Sequence, residues 1–123
     1  MNQPSDFGIF LKEKRQEARL NQEELAAAIG KTGQYISNLE KGKNNAPPKD
    51  TDIDALIQKL ELDSEDAKEF RVKDAADRQQ LPKPQMQYIL SHPSLLRLLF
   101  YAEEHGIDDS TWETFLGNLS EEE

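Results

Sequence analysis

Apolar residues recur three and four positions apart along nearly the whole chain and no stretch keeps a period of two, so the pattern predicts helices throughout and an all-α fold. Ser5 is placed to cap a first helix in which Phe7, Leu11 and Ala18 share a face. Asn21, with Glu24 three residues on, reads as a capping box opening a second helix that runs to about Ile29. Gly30 permits a sharp turn, Thr32 is positioned to cap a third helix, and Gly42 stops that helix at Lys41. Lys43 to Asp50, with Asn44, Asn45, Pro47 and Pro48, reads as a loop. A fourth helix from about Asp52 to Leu60 sets Ile53, Leu56, Ile57 and Leu60 on one face, and a fifth runs from near Ser64 to Arg78. Leu81-Pro82-Lys83-Pro84 cannot continue a helix, because proline lacks the amide donor and restricts the residue before it. The expected domains are therefore 1–78 and 79–123. In the second, short helices are expected over Pro84 to Leu90, Pro93 to His105 ended by Gly106, and Ser110 to Leu116 opened by a Ser110 and Glu113 capping box, with Ser120 to Glu123 a frayed acidic tail.

A chain of 123 residues can bury one good core, or two small ones of which the lesser needs a partner subunit. The longest apolar run, Leu95 to Ala102 interrupted by Arg97, is too short to cross a bilayer, and the first residues carry no basic stretch followed by an apolar one, so a cytoplasmic protein is expected. The absence of cysteine excludes disulfides, thiol catalysis and cysteine-bearing zinc sites. A net charge of -9 argues against nucleic acid until its distribution is considered. Residues 1–49 carry eight Lys/Arg against six Asp/Glu, or +2, and residues 50–123 carry seven against eighteen, or -11. Lys31, Lys41, Lys43 and Lys49 leave a local basic footprint beside or just after the third helix.

On a helical wheel, residues 32–41 put Ile36, Leu39 and Glu40 on one side and Gln34, Ser37, Asn38 and Lys41 on the other. Glutamine and asparagine can make paired hydrogen bonds to adenine in the major groove. The second helix offers Leu25 and Ile29 to the core, with the small Ala26 where two helices must approach. Gln22, in its first turn, sits where backbone amides favour a phosphate.

Leu20-Asn21-Gln22-Glu23-Glu24-Leu25-Ala26-Ala27-Ala28-Ile29-Gly30, then Thr32, then Tyr35-Ile36-Ser37-Asn38-Leu39-Glu40-Lys41-Gly42, resembles the phage-repressor and Cro-like helix-turn-helix family, also called the xenobiotic-response-element type. Ala26, Gly30, Ile36 and Leu39 fall in the motif's register, and the resemblance covers residues 7 to about 62. It implies a lambda-repressor-like five-helix DNA-binding domain, here followed by a small three-helix C-terminal domain. It also implies that Gln22 and Asn21 contact phosphates, that Gln34 and Asn38 contact bases, and that Arg15 pairs with Glu40 to tie the first helix to the recognition helix. From their places around the third helix, Thr32, Tyr35, Lys41 and Lys43 are further expected phosphate contacts, and Gly33 and Ser37 are further expected at the bases. Lys31 departs from the pattern, standing where an apolar residue is common. Gly33 either shortens the sequence that is read or lets the backbone approach the DNA. Tyr35 either stacks on a sugar-phosphate or packs beside Ile36.

The second half resembles the C-terminal domains of repressor-like regulators encoded beside metalloproteases of the ImmA/IrrE type. The residues are Leu81-Pro82, Tyr88-Ile89, Pro93, Leu96-Arg97, Gly106, Trp112 and Phe115. In that family this unit dimerises, and its proteolysis relieves repression. Apolar residues occupy two faces between Leu95 and Ala102, more than one small domain can cover, so Leu95, Leu96, Leu99, Phe100, Trp112 and Phe115 are the expected homodimer contacts.

Polar residues on a helix are usually only a solvated face. Within this register, however, Gln34, Ser37 and Asn38 are expected to meet duplex DNA. His92 and His105 lack a third ligand at useful spacing, and the carboxylates lie in helix first turns and exposed runs, so neither a metal, a cofactor nor an enzyme is expected. The expected function is a homodimeric, sequence-specific repressor of a phage or mobile element, reading an inverted-repeat operator. The alternatives are an antitoxin whose acidic half neutralises a basic toxin from an adjacent gene, and an interaction module with no DNA role.

Overall fold

Residues 5–43 and 46–121 are described by a computed structural model. Among them are eight helices and no strand: α1 (Asp6–Glu17), α2 (Gln22–Ala27), α3 (Gly33–Glu40), α4 (Asp50–Lys59), α5 (Ser64–Arg78), α6 (Lys83–Ser91), α7 (Pro93–Glu104) and α8 (Asp109–Glu121). The chain divides into two compact units, Met1–Lys83 and Pro84–Glu123.

In the first unit the capping chemistry sets the helix starts. The Ser5 side chain accepts from the Gly8 amide at 3.0 Å, and Asn21 and Glu24 bond reciprocally at 2.7 and 3.0 Å. Such caps stabilise a helix by about 1 kcal/mol each. Thr32 occupies the cap position of α3 without a side-chain cap bond. Asp63 caps α5 by accepting from the Asp66 amide at 2.8 Å. Helix α4 begins at Asp50, two residues earlier than the apolar spacing suggests, because the Lys49 amide donates to Asp52 and closes the first turn. Gly30, at φ +65°, turns the chain sharply between α2 and α3.

These helices converge on one core of Phe7, Leu11, Leu25, Ala26, Ile36, Leu39, Ile53, Leu56, Leu60 and Phe70. Phe7 and Phe70 meet edge to face at 5.1 Å, joining α1 to α5. Gly8 allows α1 to cross the end of α3, since a Cβ there would stand 2.7 Å from the carbonyl oxygens of Leu39 and Glu40. Helix α5 ends with Gln79 in the left-handed region, ahead of Leu81 and Pro82.

In the second unit α6 and α7 end in the same device. His92 donates from Nδ1 to the Tyr88 carbonyl at 2.7 Å and stacks on its ring, and His105 does so with Tyr101 at 2.9 Å. The expected Ser110 and Glu113 box is not what opens α8. The carboxylate of Asp108 takes the cap, accepting from the Ser110 hydroxyl at 2.7 Å and the Thr111 amide at 3.4 Å, and the Ser110 bond is the main reason its pKa is lowered. Helix α8 also runs on to Glu121 rather than stopping at Leu116, since Leu116 and Leu119 keep the helical spacing and Gly117 is too weak a breaker alone. Ser120 thus lies in the helix, its hydroxyl on the Leu116 carbonyl at 3.0 Å, while residues 122 and 123 lie outside the described residues, as do Asn44 and Asn45 of the expected loop. No helix among the described residues is long and apolar enough to cross a membrane.

Candidate nucleic-acid interface

Helices α2 and α3, joined by the Gly30 turn, form a helix-turn-helix. Leu25 and Ala26 on one and Ile36 and Leu39 on the other are buried, which anchors both against the core and leaves the start of α3 at the surface. Gln34 is exposed and Asn38 half-buried one turn later, and the Gln34 amide donates to the Asn38 side-chain oxygen at 2.9 Å. The two side chains therefore form one hydrogen-bonding unit in which the Gln34 carbonyl and the Asn38 amide hydrogens are not used by the bond between them.

Ser37 is placed differently from the wheel's expectation, and Gly33, also expected at the bases, lies beside it. Ser37 is buried and Gly33 half-buried, because positions 33 and 37 lie one turn apart on the side of α3 turned towards α2. An open groove between the two helices is lined by Asn21, Gln22, Glu23, Gly33, Gln34 and Ser37. Gln22 is half-buried, and its amide donates to Glu40 at 3.1 Å, so that group is turned towards the core side of the motif. Asn21 and Thr32 are exposed at the N-caps of α2 and α3.

Arg15 and Glu40 come together. Arg15 Nε donates to Glu40 Oε2 at 2.7 Å and Nη2 to Oε1 at 3.1 Å, with both side chains largely out of solvent. Buried pairs of this forked geometry fix orientation more than they add net stability. Tyr35 packs half-buried against the core, and its hydroxyl donates to the Ala46 carbonyl at 2.7 Å, tying α3 to the chain that follows it. Burial first, and then the carboxylates of Asp52 and Asp74, push the Tyr35 hydroxyl above its usual pKa, so it stays a neutral donor. Lys31 Nζ lies over the Tyr35 ring at 5.3 Å, and Lys41 and Lys43 are exposed at the end of α3. Lys14, by contrast, is bound to Glu17 and Asp66, and Arg15 to Glu40, so neither is offered to a ligand.

A second buried network, not apparent from the sequence, joins the start of α4 to the end of α5. Arg78 bonds the Asp50 carboxylate and, at 3.2 Å, the Pro48 carbonyl, while Asp50 also accepts from the Lys83 amide at 3.1 Å. Arg78 Nε stands 2.9 Å from Asp74 Oδ2 but is turned out of hydrogen-bond geometry, so this contact is an ion pair only. Burial pushes the Asp74 carboxyl up to about 6 despite Arg78, whereas the Arg78 bond holds Asp50 below its usual value.

The dimer candidates lie on α7 and α8. Leu96, Leu99, Phe100 and Phe115 are exposed and Leu95 and Trp112 half-buried, while Ala102 is the one buried residue among the described residues of this unit. Leu95 and Ala102, two turns apart, are on the inward side, and Leu99 between them is not. Among the described residues no three His, Cys, Asp or Glu side chains come together as a metal site requires.

A short helix packed across another through a tight turn, with Gln34 exposed at its start, defines the helix-turn-helix class. Residues 11–65 match the family model described as helix-turn-helix, and that segment is a helix-turn-helix domain as found in DNA-binding transcription regulators. No curated protein and no solved structure matches the chain.

Proposed function

We propose that this protein is a sequence-specific repressor that reads duplex DNA as a homodimer. The observation that carries the proposal is the bonded Gln34 and Asn38 pair on the exposed side of α3, whose free donor and acceptor suit the major-groove edge of a base pair. Lys41, Lys43, Asn21 and Thr32 flank it, with charge or hydrogen-bonding capacity for phosphates. Gln22 is counted with them only through its remaining groups, since one amide hydrogen is held by Glu40. Ser37 is assigned to packing between the helices rather than to the bases.

The second unit supplies the dimer contact. About 40 residues among which, of those described, a single alanine is buried do not make a core, and exposed Leu96, Leu98, Leu99, Phe100 and Phe115 call for cover. Two recognition helices related by a two-fold axis would then meet inverted half-sites with centres about 34 Å apart, or a multiple of that. A protein seated on such a site blocks it by occupancy, which is all that repression requires. Selection of bound sites from random duplex DNA tests the proposal: enrichment of an inverted repeat supports it, and a pool that stays random contradicts it.

A further inference from the structure

We propose that Glu23 is a specificity-determining residue of the same interface, accepting a hydrogen bond from the exocyclic amine of a cytosine in the major groove; the inference rests on the duplex-reading function above. Gly33 opens α3 without a side chain, and Glu23 of α2 fills the space that one would take. A Cβ on Gly33 would lie 2.7 Å from Glu23 Cγ and 3.3 Å from the Glu23 backbone nitrogen. The glycine thus makes room for the glutamate, whose side chain lines the groove beside Gln34. No described residue bonds the Glu23 carboxylate, although its neighbour Glu24 is held by the Asn21 amide.

An ionised carboxylate accepts hydrogen bonds and donates none. The major groove offers it two base donors, the N4 amine of cytosine and the N6 amine of adenine. Adenine sets its N7 acceptor beside that amine, where it repels the second carboxylate oxygen; cytosine has no acceptor at that position on the same base. Cytosine is therefore the base that Glu23 selects. The same negative charge repels phosphates on every duplex, so Glu23 weakens binding in general and discriminates by what it restores at one position.

The test is the selection of bound duplexes from a random pool by the full chain, by Glu23→Gln and by Glu23→Ala, with thermal unfolding of each to confirm an intact fold. The wild type is expected to favour cytosine at one position of each half-site, and both variants to lose that preference by at least about fivefold while keeping the others. Both variants should also bind random duplex more tightly. A wild type that enriches a site, with variants that enrich the same site with the same preference at every position, overturns this inference and leaves the function standing. A wild type that enriches no sequence overturns both.

Discussion

Arg15 on α1 grips Glu40, the last residue of α3, with two guanidinium bonds at 2.7 and 3.1 Å, while its Nη1 donates to the Leu20 carbonyl at 2.9 Å. One side chain thus fixes the end of α3 and the entry to α2 together. With Glu40 only 4% exposed, Arg15→Ala leaves a carboxylate out of water with the Gln22 amide as its remaining side-chain partner. The variant should lose about 3 kcal/mol in denaturant unfolding, and Arg15→Lys, which lacks the planar fork, should recover only part of it. An Arg15→Ala protein of unchanged stability, whose DNA binding has become less salt-dependent, would make Arg15 a phosphate contact instead.

Asp74 gives the first unit an unusual pH dependence. Its carboxyl titrates near 6 in the fold, against an unfolded value near 3.9, so between these values the folded state holds more protons than the unfolded one. Stability therefore rises as pH falls from about 7 to 4, by roughly 2 to 3 kcal/mol from this group alone. Asp50, held low by Arg78, acts in the opposite sense, but its contribution is lost only below the usual carboxylate range. Asp74→Asn should abolish the rise between pH 7 and 4 and be no less stable than the wild type at pH 7. Chemical denaturation at several pH values checks this; an unchanged pH profile in the variant would contradict it.

Dimer formation through the second unit predicts a clear response to charge. Leu96→Asp with Phe100→Asp should leave the first unit folded but halve the molar mass in solution at micromolar concentration. It should also weaken binding to an inverted repeat far more than to a single half-site. A wild-type chain that is monomeric under these conditions, or a double variant that still dimerises, would remove the second unit as the interface.

The features that were legible in the sequence are local ones. Ser5, the Asn21 and Glu24 box, Gly30 and the apolar spacing of α4 and α5 act within a few residues, and the structure forms each of them. Positions 34 and 38 likewise belong to one turn of one helix. What a helical wheel lacks is the neighbour. The crossing of α2 is what buries Ser37 and turns Gly33 towards Glu23, and no periodicity within α3 announces it. The contact of Arg78 with Asp50 spans 28 residues, so the network joining α4 to α5 has no signature in the local sequence pattern. The cap of α8 was misplaced for a smaller reason: Asp108 and Ser110 both have capping side chains, and the carboxylate, a charged acceptor, takes the role.

The central claim, that Gln34 and Asn38 read bases, is tested most directly by measuring the affinity of the wild type, Gln34→Ala, Asn38→Ala and the double variant for the selected site and for random duplex at one salt concentration. Each single variant should lose about 1 to 3 kcal/mol on the selected site and almost nothing on random duplex. Because Gln34 donates to Asn38, the double variant should lose less than the two single losses together. Equal losses on selected and random duplex for both single variants would show that neither side chain reads a base.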